Sequence, residues 1–161
     1  LNKFIRILDK TQSIIGISFL VIFFAVIIIQ ITARYMGISL IWTVELASNT
    51  FIWATFMGAA VMVNRREHFN FDFILRKVKG KTKVLINFIN DVILILFNFG
   101  IFFYGLQVTQ NFWDYTWTSL PSLKMGYVWI SIPIMGATMI LYSLSHLINH
   151  IKELQGKEVT Y

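Results

Sequence analysis

The stretch SIIGISFLVIFFAVIIIQI, Ser13 to Ile31, contains no charged residue. A helix of about 20 such residues, rising ~1.5 Å per residue, covers the ~30 Å hydrocarbon core of a bilayer. The run is longer than the ~7–15 apolar residues of a secretory signal, and no small-residue cleavage pattern precedes its end, so it reads as a retained span. Three more apolar segments follow, giving spans at about Ser13–Tyr35, Val44–Val63, Val84–Val108 and Tyr127–Ile148. Composition agrees: 57% of the 161 residues are hydrophobic, 14% are charged, and the mean hydropathy is +0.67, too little polar material to cover a soluble globule. The expected fold is an all-α integral membrane protein, a single four-helix membrane domain over residues 1–161.

The net charge of +6 is divided by topology, which argues against a nucleic-acid surface and for contact with phospholipids. Lys3, Arg6 and Lys10 precede span one, Arg65, Arg66, Arg76, Lys77, Lys79, Lys81 and Lys83 lie between spans two and three, and Lys152 and Lys157 follow span four. Only Arg34 and Lys124 are left for the opposite side. The positive-inside bias therefore predicts both termini and the middle loop in the cytoplasm. The two outer loops carry headgroup-level aromatics, Tyr35 and Trp42 in one and Trp113, Tyr115, Trp117 and Tyr127 around the other. Two segments have helical amphipathic spacing, Phe4, Ile5 and Leu8 near the N-terminus and Phe71, Ile74, Leu75 and Val78 in the middle loop. They read either as short interfacial helices or as basic segments that only satisfy the topology. Pro133, inside span four, lacks a backbone donor and is expected to disturb that helix.

Polar residues inside spans mark faces covered by protein, because lipid-facing polar groups are costly. Asn87, Asp91, Asn98 and Gly105 share one face of span three, Ala47, Ala54 and Gly58 form a small-residue stripe on span two, and Ser131, Thr138 and Tyr142 align on span four. These seams either pack the four helices together or dock the unit on another membrane protein. Span one has no ionisable group between Ser13 and Thr32, and no span carries a midplane charged site of the kind an autonomous pump needs. Glu45 opens span two and Arg34 closes span one, so the two are expected to pair at the outer interface; Thr43 and Ser48 add too few oxygens for an ion site. Zero cysteines exclude thiolate chemistry. His146 and His150 lie four apart at one helix margin and His68 follows the Arg65-Arg66 pair, poor placement for haem or metal ligands, and no nucleophile–base pair or phosphate loop occurs. Neither a catalytic site, a cofactor nor a metal is expected in the chain.

The stretch IWTVELASNTFIWATFMGAAVMVNRREHFNFDFI resembles the small membrane subunit (DctQ-like) of tripartite ATP-independent periplasmic, or TRAP, transporters. The positions that carry the resemblance are Arg34, Trp42, Glu45, Gly58-Ala59-Ala60, Arg65-Arg66, His68 and Asp72. Where many members have two adjacent acids, this chain has Val44 before Glu45, so no role needing both carboxylates is carried over.

The resemblance implies a multi-pass subunit of the bacterial inner membrane that braces a large transport subunit. Its other partner is a periplasmic substrate-binding protein that delivers an organic acid, such as a C4-dicarboxylate or sialic acid; sodium ions belong to the large subunit. On this view Ala54, Gly58, Asn87, Asp91, Asn98 and Gly105 pack helices or meet that subunit, and Asp114 and Lys124, the only charges of the second outer loop, contact the binding protein. The competing readings are a self-contained four-helix proton-coupled exporter, which needs a membrane-embedded acid, and a haem or quinone anchor subunit.

Overall fold

A computed structural model describes residues 2–66 and 81–154, and among these the only regular elements are helices. They are α1 (Asn2–Tyr35), α2 (Ile41–Asn64), α3 (Lys81–Asn111), the single turn α4 (Gly126–Trp129) and α5 (Ser131–Leu154). Among the described residues, four helical stretches are long and apolar enough to cross a membrane. In hydrocarbon no water can satisfy a bare backbone, so long apolar runs close their hydrogen bonds internally as helices.

The helix ends follow from local chemistry. Gly37 stands just past α1 with φ of +76°, a left-handed conformation that glycine adopts without penalty. There the Ile38 N–H bonds the Ala33 carbonyl at 2.9 Å and the Gly37 N–H bonds the Arg34 carbonyl at 3.1 Å, the reciprocal pair of a Schellman cap. The fourth span is divided. Pro133 has no N–H to offer the Trp129 carbonyl, so α4 ends there and α5 begins at Ser131, with Pro133 in its first turn where the missing donor costs least.

The N-terminal amphipathic segment is not a separate helix on the membrane surface. It forms the first turns of α1, and Ile5 and Leu8 pack inward with Ala60, Val63, Met135, Met139 and Tyr142. The middle-loop segment, with His68 and Asp72, lies outside the described residues.

The helices pack as a row, α1 on α2, α2 on α5 and α5 on α3, with α1 touching α5 only lightly. The central pair is accordingly better covered: 44% of the most apolar part of α2 and 61% of that of the α4–α5 stretch are buried, against 11% for α1 and α3. Small residues set the crossings. A Cβ added to Gly136 would stand 3.0 Å from the Phe102 amide nitrogen, and one on Gly105 would meet Ile132 at 2.8 Å and the Pro133 nitrogen at 3.1 Å, so α3 and α5 touch almost backbone to backbone. Gly16 of α1 lies likewise against Met57 and Ala54 of α2. The α3 seam is thus used inside the chain: Asp91, Asn98 and Gly105 are buried and Asn87 half-buried. Gly58 differs, being exposed with open space where its Cβ would be.

Candidate functional site

Two polar clusters lie at opposite ends of the row, here termed the aromatic end and the basic end. At the aromatic end the chain between α3 and α4 folds as a small hairpin. Thr116 and Lys124 form an antiparallel bridge, the Trp117 N–H bonds the Leu123 carbonyl at 3.0 Å, and the Leu123 N–H bonds the Leu120 carbonyl at 2.9 Å to close a turn around Pro121. Trp117 is buried beneath it. Glu45 holds its tip: the Thr118 and Ser119 amides donate to the two carboxylate oxygens at 2.8 Å each, and the Ser119 hydroxyl donates to the second.

This corrects the expected Arg34–Glu45 pair, since among the described residues no ion pair joins them. Three convergent donors on two consecutive residues offer the carboxylate charge-assisted bonds without tying down a long flexible side chain, whereas an exposed arginine would lose rotamer freedom to pair. Arg34 is exposed on the last turn of α1. It and Glu45 line one open cleft of about 810 Å³ between the ends of α1 and α2.

The two charges expected to meet a binding protein meet each other: Lys124 Nζ stands 2.7 Å from Asp114 Oδ1. The hydrogen bond from Lys124 to Asp114, reinforced by their attraction, raises the lysine pKa above its ordinary value. Both remain accessible at the hairpin mouth, with Asp114 the more exposed.

At the basic end, the consecutive arginines after α2 reach in opposite directions. Arg65 pairs with Asp9 of α1 at 3.4 Å and approaches the Ser13 hydroxyl at 3.3 Å, while Asn64 donates to Asp9 at 2.9 Å. Arg66 pairs with Asp91 of α3 at 3.5 Å, and His150 of α5 approaches the same Asp91 oxygen at 3.3 Å and also contacts Arg66. Arg66 has φ of +60°, the left-handed region that costs a side-chain-bearing residue about 1–2 kcal/mol, and this backbone turn lets neighbouring arginines serve different helices. His146 Nε2 lies 3.0 Å from the Asn64 carbonyl oxygen. Both α5 histidines are therefore engaged in the packing of α2 against α5.

A third cluster was not legible in sequence. Gln12 of α1, nearly inaccessible, donates to Thr138 at 2.9 Å and accepts a 2.6 Å hydrogen bond from the Tyr142 hydroxyl. Gln12 lies just before the uncharged run, where composition gives no sign of a buried partner. The alignment of Thr138 and Tyr142 on one face was the available signal, because two buried polar groups need a partner.

Together the four long apolar helices and the polar clusters at the two ends of their row define a multi-span membrane protein. Residues 23–153 match the family described as "Tripartite ATP-independent periplasmic transporters, DctQ component", and the chain belongs to that family. It is a small TRAP permease component, a multi-pass protein of the bacterial inner membrane, in a class of transporter components and not of enzymes. The chain is 25% identical over 154 residues to the sialic acid TRAP transporter small permease protein SiaQ of Vibrio cholerae, covering 94% of this chain and 87% of that one. It is 23% identical over 135 residues to the sialic acid TRAP transporter permease protein SiaT of Haemophilus influenzae, covering 83% of this chain but 22% of that longer one.

Proposed function

We propose that the chain is the non-catalytic bracing subunit of a sodium-coupled, binding-protein-dependent importer of organic acids of the sialic acid class. The observation that carries this is the match to SiaT: the counterpart of this chain there is about a fifth of one polypeptide, so the module works joined to a much larger permease portion. In this reading the larger membrane subunit holds substrate and sodium, the chain itself holds neither, and both termini and the basic end face the cytoplasm, as the lysine and arginine distribution favours. The aromatic end then faces the periplasm, where Asp114 and Lys124 stand accessible to a substrate-binding protein. Docking uses the exposed stripe of α2, where Ser48, Phe51, Thr55, Gly58 and Met62 recur at helical spacing. The exporter alternative needs an available membrane-embedded acid, whereas Asp91, the buried acid of α3, is paired with Arg66 and approached by His150.

Gly58→Leu provides the test, because Gly58 is exposed and a Cβ placed there meets nothing within 4 Å. Co-expressed with the larger subunit, the variant should fold normally, co-purify poorly and support little sodium-dependent sialic acid uptake in proteoliposomes given the binding protein. Full uptake by the larger subunit and binding protein in the complete absence of this chain would refute the bracing role.

A further inference from the structure

The cleft at the aromatic end is lined by opposite charges from two helices, Arg34 of α1 and Glu45 of α2. Arg34, from the last turn of α1, contributes a guanidinium whose five N–H donors make no hydrogen bond or ion pair among the described residues. Glu45, from the first turns of α2, carries a negative charge with one acceptor position unspent: Oε1 receives only the Thr118 amide, while Oε2 receives both Ser119 donors. Gln30 adds a polar group beside Arg34, and Ile38, Ile41 and Val44, half or more exposed, form an apolar lip. All of this lies where two membrane-crossing helices end, next to Tyr35, which is 90% exposed, and to Trp42; aromatic residues of this kind sit at headgroup level.

We infer that this cleft binds a zwitterionic phospholipid whose head group ends in a primary ammonium, with its phosphate on Arg34, its ammonium on Glu45 and its acyl chains along Ile38, Ile41 and Val44. The charges select the class. A phosphodiester accepts two parallel bonds from a guanidinium. A primary ammonium has three donors and can use the free position on Oε1, whereas a quaternary ammonium has none and a glycerol head group lacks the positive charge. Phosphatidylethanolamine therefore satisfies both walls, while phosphatidylcholine and phosphatidylglycerol satisfy one. The seat is a built feature of α1 and α2 and lies apart from the exposed α2 residues beyond Val44 toward the basic end.

Native mass spectrometry of the purified full chain, titrated in detergent with each of the three lipids, tests the assignment. One phosphatidylethanolamine should be retained about tenfold more tightly than either other lipid, and Arg34→Gln should weaken retention of all three by about tenfold, the scale of one lost charge-assisted contact. Glu45→Gln should abolish the preference among lipids. Because that change also frees the loop, Ser119→Ala serves beside it: it loosens the loop, keeps the carboxylate and should keep the preference. Equal retention of the three lipids, or unchanged retention in Arg34→Gln, overturns the site. Displacement of the lipid by soluble O-phosphoethanolamine at equal concentration overturns the lipid assignment in favour of a free zwitterion. Loss of the retained lipid from the complex with the larger subunit also overturns it, showing the cleft filled by protein.

Discussion

Glu45 bonds two consecutive residues of a loop more than seventy positions away, so neutralising it should release the hairpin tip and leave the helices in place. In lipid-free detergent, Glu45→Gln is expected to lower stability by about 1.5–3 kcal/mol, the range for hydrogen bonds to a charged group. Arg34→Gln, with no partner to lose, should stay within about 0.5 kcal/mol, and the double variant should be additive to about the same margin. Thermal melts of the three variants measure this, and a coupling above about 1 kcal/mol would reinstate an Arg34–Glu45 pair. The position of Glu45 at the start of a membrane-length helix was legible from its place before an apolar run. Its partner was not: Arg34 is the nearest opposite charge in sequence, whereas backbone amides leave no trace in a residue pattern. Gln12 and Tyr142 supply a second case. Tyr142→Phe strands the buried Gln12 oxygen and should cost about 1–3 kcal/mol, while pairing it with Gln12→Leu should recover much of the loss, because removing both partners leaves no unsatisfied group. Chemical unfolding of the single and double variants distinguishes the two outcomes.

Among the helices, the informative residues are those too small to see in a hydropathy pattern. Gly136→Ala forces a methyl to 3.0 Å from a backbone nitrogen of α3 that cannot rotate away, and overpacking of this kind costs about 1–3 kcal/mol. Gly58→Ala meets nothing and should leave stability unchanged or raise it by up to about 1 kcal/mol, the helix propensity difference. Side-by-side denaturation in detergent would separate a crossing glycine from a surface one; equal losses would mean that the α3–α5 contact is looser than these distances. The sequence pattern put Gly105 and Asn98 on a common face correctly, because helical periodicity is rigid. It could not say which neighbour that face met. The Pro133 break was likewise foreseeable, since a missing donor is a property of the residue. That Arg65 and Arg66 divide between α1 and the α3–α5 pair was not, because it depends on the left-handed backbone at Arg66, a position where sequence offers no glycine to announce it.

At the scale of the whole chain, four apolar runs specified four helices but left their lateral order open, since any of them could neighbour any other in a bilayer. The observed order puts α1 and α2 together, α3 and α5 together, and joins these two units along α2 and α5. The seam includes Ala60 and Val63 of α2 against Met135, Met139 and Tyr142 of α5, with the α2 carbonyl of Asn64 meeting His146. Each unit is a helical hairpin that closes between successive spans, and only afterwards do the two need to find one another, the order expected when inserted helices associate in a second stage. Peptide-chain continuity between the hairpins is then dispensable. Residues 1–73 and 74–161, co-expressed as separate polypeptides, should insert independently and purify as a one-to-one complex, with Gln12–Tyr142 and Arg66–Asp91 bridging the cut. Separate recovery of two stably inserted halves would show that the tether, and not the seam, brings them together.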